Sequence, residues 1–412
     1  MKWLAYIGIF SLYSIGFTGE FQFDDYQWIH GALLNGNEPY IEGRPLASLL
    51  WNSIWRVWGI NPLPYKIISA LLHIGVIDVL LRICKRFKRG EWAIWLFAVH
   101  PVFVSTVAYP VQASVMMATL FCAWAFLMYD RGNYIRAVVF CTMAAMSKQT
   151  AFMFPAIICL YEWIVVQKRS VALPLLISAG AVLYVVFTQN LHDINTKRGI
   201  SQWTRVCTQA ALAPMYVKMV LLPHVSRYTL DHAVGAYYKP TFLVVWALIG
   251  GTAMAYANRY GKFAIMAFAC MLVPEFTIVN LELVFEHRLY LPIAFLVLFA
   301  PRIKNEIGQG AVIFAAMLCV IVNVQYQAVF KTQRSLWEHT LKRYPKNYRA
   351  HLNMAKTVYQ TEPLLALYHF AELQKCIDRK GGIWQNEFGM TYSIYYEPVI
   401  DKRRKEFEEW AK

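Results

Sequence analysis

Two adjacent carboxylates, Asp24 and Asp25, close the first hydrophobic segment and open the run FQFDDYQWIHGALLNGNEPYIEGRPL, residues 21–46. Two more acids, Glu38 and Glu42, and one arginine, Arg44, follow before the chain turns apolar again. Carboxylates set beside hydrocarbon can accept a proton or hold a hard cation at a membrane surface. A structural role competes with this one, because Asp is a favoured N-cap and stabilises a helix beginning near Tyr26. Neighbouring side chains point apart at a helix start, so both are not expected to touch the same reacting group.

The elements that must position these groups are set by composition. Of 412 residues, 58% are hydrophobic and 16% charged, and the mean hydropathy is +0.37, which implies a polytopic membrane protein and excludes an ordinary soluble enzyme. Aromatic residues, 16% of the chain, suit the two membrane–water interfaces. The net charge of +15 is concentrated in basic turns between apolar segments, such as KRFKR at 85–89 and Arg259 with Lys262, as cytoplasmic loops require. No basic–aromatic array points to nucleic acid. Cys122, Cys141, Cys159, Cys270 and Cys319 lie inside apolar runs without CxxC spacing, so they read as packing residues.

Hydropathy and the placement of Lys and Arg predict an all-α chain of about eleven transmembrane helices. Segment 3–17 reads as a retained signal anchor with its N-terminus inside. In the first outer loop, 18–63, residues 45–58 carry an apolar face and a tryptophan stripe and are expected to lie in the interface plane. Further spans are expected at 64–84, 92–109, 111–129, 134–146, 151–166, 171–188, 241–257, 264–279, 289–300 and 310–330, with 209–223 re-entrant or membrane-lying. This topology gathers Asp24, Asp25, Arg44, His100, Lys148, Arg205, His232, Glu286, His287 and Arg288 on the outer side, together with the C-terminus. A transporter tends instead to place ionisable groups near the midplane and to repeat its hydropathy.

The runs FDDYQWI, RPL at 44–46, HPVFVSTVAYPVQA at 100–113, SKQTAFMFPAIICLYEW at 147–163, LLPHVSRYTLDH at 221–232 and EHRLYLP at 286–292 share an order and spacing. In this they resemble the TMTC-type O-mannosyltransferases of the GT-C superfamily. The tail is similar too, since residues 336–359 read like the entry to a tetratricopeptide helix pair. A short tail, with EHR in place of an acid–arginine pair, looks more like bacterial relatives such as pilin glycosyltransferases of the TfpW type.

The resemblance implies a catalytic membrane domain over 1–330 and a non-cytoplasmic helical domain over 331–412. It implies transfer of a sugar from a polyprenyl-phosphate-linked donor to a hydroxyl of an acceptor, such as Ser or Thr of a secreted or pilin protein. The site would face the periplasm from a bacterial inner membrane, or the ER lumen in a eukaryote. Asp25, placed slightly ahead of Asp24, is then the expected base. Arg288 and Lys148, with Arg205 and Arg44 behind them, are the expected phosphate ligands, because a guanidinium fork makes two parallel bonds to phosphate. His100, Glu286, His287 and His232 are further candidates. A divalent cation is compatible with Asp24 and Asp25 but not required. The alternative function is a transporter or flippase for a lipid-linked substrate.

Overall fold

The computed structural model describes residues 2–25, 29, 43–167, 201–235, 238–278 and 282–378. Glu38, Glu42, the helix start at Tyr26 and the expected span 171–188 lie outside the described residues. Every regular element among those described is a helix. The first part of the chain supplies α1 (Lys2–Ser14), α2 (Pro45–Trp58), α3 (Pro62–Arg86), α4 (Trp92–Val99), α5 (Ala113–Asp130), α6 (Tyr134–Ser147) and α7 (Phe154–Tyr161). After residue 200 come α8 (Gln202–Leu221), α9 (Thr241–Tyr256), α10 (Arg259–Val273), α11 (Tyr290–Val297) and α12 (Glu306–Val329). The tail adds α13 (Gln333–Arg343), α14 (Tyr348–Val358) and α15 (Pro363–Asp378).

Among the described residues, four segments are long and apolar enough to cross a membrane: Pro62–Arg86, Pro110–Asp130, Gln149–Val166 and Glu306–Val329. The chain is an integral membrane protein. In the most apolar 18-residue stretch of Pro110–Asp130, 83% of residues are buried, which makes it central, whereas in that of Glu306–Val329 only 17% are. Other expected spans are shorter. Segment 92–109 breaks after α4, because Pro101 cannot donate the next helical hydrogen bond and His100 is extended (ψ 127°). Segment 289–300 holds only the eight residues of α11. Segment 209–223 falls within α8, one continuous helix of 20 residues that retains Pro214 inside it.

Polar residues at helix starts explain many boundaries. Asn61, Asn133, Ser201, Asn258, Asn305 and Asn347 each accept a backbone N–H of the helix that follows. Thr332 and Ser335 make a reciprocal capping box at α13. Interior polar groups tie the body together: His73 bonds the Tyr290 hydroxyl at 2.6 Å and the Ala98 carbonyl at 3.0 Å. The Gln327 amide donates to Leu12 O of α1 at 2.9 Å while its oxygen accepts from Gly16 N at 3.0 Å. Gly19 lets the chain leave α1 against α12, since a Cβ there would lie 2.5 Å from Phe330 O. Glu20 N and the Gln22 side chain add bonds to Lys331 O and Phe330 O, so residues 19–22 are held against the end of α12.

Candidate functional site

The first acidic pair divides by geometry. Asp25 is fully buried, its Oδ2 accepting from Gln22 N at 3.0 Å and its Oδ1 from Val111 N at 2.8 Å. Burial pushes its carboxyl well above the usual carboxylate range, against the pull of those two N–H groups and of Lys66. Lys66, itself buried in α3, donates to Gly16 O at 3.1 Å. Asp25 is thus a cap that ties the first loop to the turn before α5. Asp24 stays partly open, and its backbone N–H donates to the Tyr109 hydroxyl at 2.9 Å. Burial, with Glu282 adding to it, lifts the Asp24 carboxyl to about 6, while Tyr109, Arg349 and Arg44 pull it back down.

A second cluster is built from three segments remote in sequence. Lys148 follows α6, Arg288 lies in the 3₁₀ turn Glu286–Leu289, and Glu275 lies in the π-helical turn Pro274–Ile278 that continues α10. Both Lys148 Nζ (3.7 Å) and Arg288 Nε (3.0 Å) face the Glu275 carboxylate. These groups line a small cleft with Val115, Thr150, His287 and Leu291. Arg44 Nε donates to Gln149 Oε1 at 3.0 Å, beside Lys148, and its charge acts on both Glu275 and Asp24. Three cations therefore work on one carboxylate, leaving an excess of positive charge in a buried place. Burial pushes Lys148 down to about 8, against the opposing pull of Glu275 and with Arg44 and Arg288 adding to the shift. His287 is held neutral by burial and by the same cations. Arg288 Nη1 donates to Leu283 O at 3.3 Å, while its Nε and Nη2, and Glu275 Oε2 opposite, are buried without a hydrogen bond. A spare guanidinium donor lining a cleft can donate a hydrogen bond to an anionic oxygen placed there.

The remaining expected residues fall outside this cleft. Arg205 belongs to α8 rather than to a loop, and its Nη2 donates to Glu275 O at 2.8 Å, so it braces the π turn. His100 caps the turn after it, with Val102 N donating to Nδ1 at 3.2 Å and Nε2 donating to Val220 O at 2.9 Å. Glu286 accepts from Thr229 N (2.8 Å) and the Tyr326 hydroxyl (2.9 Å), and pairs with His232 Nε2 at 3.3 Å. The other ring nitrogen of His232 meets the Tyr344 hydroxyl at 3.2 Å. These last contacts join the segments around residues 229–232 and 286 to the tail. Among the described residues no group of three or more His, Cys, Asp or Glu is arranged to hold a metal ion, and the oxygens of Asp25 are directed at backbone donors.

Sequence reasoning passed over two important residues. Glu275 sits within the apolar run 264–279 that reads as a span, although an acid after Pro274 in such a run is itself a signal of function. Arg349, in the first turn of α14, reaches Asp231 Oδ1 at 3.1 Å and Glu282 Oε1 at 3.2 Å, a pairing no local pattern announces.

No protein-family model matches the chain. It is similar to the human protein O-mannosyl-transferase TMTC3, 27% identical over 146 residues, 32% of this chain and 16% of that protein. Mouse TMTC3 matches at 27% over 137 residues, covering 30% and 15%. The chain thus matches less than a fifth of the length of these curated relatives, and the TMTC resemblance carried by the motifs is met by this similarity. A solved structure, ArnT from Cupriavidus metallidurans bound to undecaprenyl phosphate, superposes with a TM-score of 0.43 at 11% identity, over 90% of this chain and 75% of that one.

Proposed function

We propose that this chain is a GT-C-type membrane glycosyltransferase that moves a sugar from a polyprenyl-phosphate-linked donor to an acceptor hydroxyl. The observation that carries the reading is the buried cation excess at Lys148, Arg288 and Arg44, coupled through Arg44 to the partly open carboxylate of Asp24. Asp24 takes the proton of the acceptor hydroxyl, whose oxygen attacks the anomeric carbon of the donor sugar. The bond from that carbon to the phosphate oxygen breaks, and the lipid phosphate leaves with one more negative charge. Arg288 and Lys148 meet that charge, the orphan Nη2 of Arg288 gaining an acceptor. In the ground state Glu275 balances the cations. The base role thus passes from Asp25 to Asp24, because both Asp25 oxygens serve backbone N–H groups and its carboxyl resists ionisation. A base near 6 is ionised at neutral pH and still basic enough to act.

The reading includes a body of about eleven spans over 1–330, a helical unit over 331–412 and a site on the non-cytoplasmic face. It also includes a secreted protein, such as a pilin, as acceptor, presenting Ser or Thr. Purified protein in detergent, given a radiolabelled polyprenyl-phosphate sugar and a Ser/Thr peptide, should label the peptide and form polyprenyl phosphate. No label on any hydroxyl acceptor, with the donor intact, would count against transferase activity.

A further inference from the structure

The tail helices grip the residue before Asp24. Phe23 adopts a left-handed backbone, φ 39°, which a bulky side chain takes up only when its surroundings enforce it. Its ring packs edge-on against Trp337 of α13 at 5.6 Å and against the guanidinium of Arg349 of α14 at 5.5 Å. Gln333 of α13 adds a hydrogen bond from its side-chain N–H to Phe21 O at 2.8 Å. Arg349 is in turn fixed by Asp231 and Glu282, and Asn347, the cap of its helix, donates to Asp231 Oδ2 at 2.9 Å. The Arg349 side chain is 14% exposed and is paired on both sides.

We propose that Arg349 is a positioning residue of the active site: clamped by Asp231 and Glu282, it holds the Phe23–Asp24 turn so that the Asp24 carboxylate faces the acceptor hydroxyl. The C-terminal helices therefore complete the catalytic centre of the membrane body. This rests on the reading of Asp24 as the base. The charged and titratable groups acting on Asp24 are Glu282, Tyr109, Arg349 and Arg44, so loss of Arg349 also removes one of the two cations that favour its ionised form.

The test uses full-length protein with Arg349→Gln, Arg349→Lys and Glu282→Gln, assayed beside Asp24→Asn. A displacement of the base by about 1 Å costs on the order of 10²-fold, so Arg349→Gln should lose kcat toward that extent while the donor KM stays near wild type. The acid limb of kcat/KM should also move to higher pH. Arg349→Lys keeps the charge but loses the fork, and should recover the limb more fully than kcat. Glu282→Gln leaves the Asp231 contact and should give a smaller kcat loss, which keeps the test open if Arg349→Gln does not fold. Near-wild-type kcat in Arg349→Gln, or a loss confined to donor KM with an unmoved pH limb, overturns the proposal. An inactive Asp24→Asn beside a fully active Arg349→Gln would sink only the positioning role. An active Asp24→Asn would sink the base reading beneath it.

Discussion

Replacing Asp24 and Asp25 separately by Asn should give opposite results in activity and stability. The Asp24 carboxyl ionises near 6 in the folded protein, against an ordinary value of 3.8. The folded state thus holds its proton more tightly than the unfolded chain, and stability falls as pH rises from about 4 to about 6. Above that window, ionising the buried acid costs about 3 kcal/mol, at 1.36 kcal/mol per pH step. Asp24→Asn removes this cost, so its melting temperature at pH 7.5 should equal or exceed that of wild type. Its turnover should fall by about 10² to 10⁴ as the general base is lost. Asp25→Asn keeps one acceptor but turns an N–H donor toward a backbone N–H, Gln22 or Val111. An unsatisfied buried donor of this kind costs about 1–3 kcal/mol, so this variant should melt lower while its folded fraction still turns over. Differential scanning fluorimetry in detergent and initial rates at saturating donor measure both quantities on one preparation. A stable, inactive Asp25→Asn beside an active Asp24→Asn would refute the assignment.

Three further outcomes concern the cation cleft. Arg288→Lys retains the charge and loses the fork, so kcat should drop at least about tenfold with the protein still folded, as steady-state rates and melting would show. Glu275→Gln removes the counter-charge of Lys148 and Arg288. That variant should melt lower without ligand and regain more stability than wild type on adding polyprenyl phosphate, because the ligand supplies the missing negative charge. Lys148 is charged below about 8 and loses its proton above, so donor KM should rise as pH passes through about 8, while kcat/KM rises from the acid side through about 6 as Asp24 ionises.

Much of this arrangement was legible in the chain. Lys148 and Arg288 lie 140 residues apart, yet each sits at the end of an apolar run beside a turn, and both meet at one carboxylate. The Asn133, Ser201 and Asn347 caps act locally, a signal that hydropathy does not carry, so α8 begins at Gln202 and not at 209. The division of labour between Asp24 and Asp25 was not legible, because it depends on Val111 N, 86 residues away, and on a left-handed Phe23. Hydropathy also misread lengths: it cannot see that Pro101 ends a helix whose flanks are equally apolar, nor that the acid in 264–279 turns into a cleft. Arg349 stayed hidden because its partners, Asp231 and Glu282, lie on two other loops.

The most direct measurement of the central claim places the purified protein in proteoliposomes with a donor labelled separately in sugar and lipid, plus a Ser/Thr peptide. A transferase parts the two labels, delivering sugar to peptide and polyprenyl phosphate to the bilayer in equal amounts, and Asp24→Asn abolishes the parting while still binding donor. Movement of both labels together across the bilayer, with the sugar–phosphate bond unbroken, would contradict it and establish a lipid-linked sugar transporter instead.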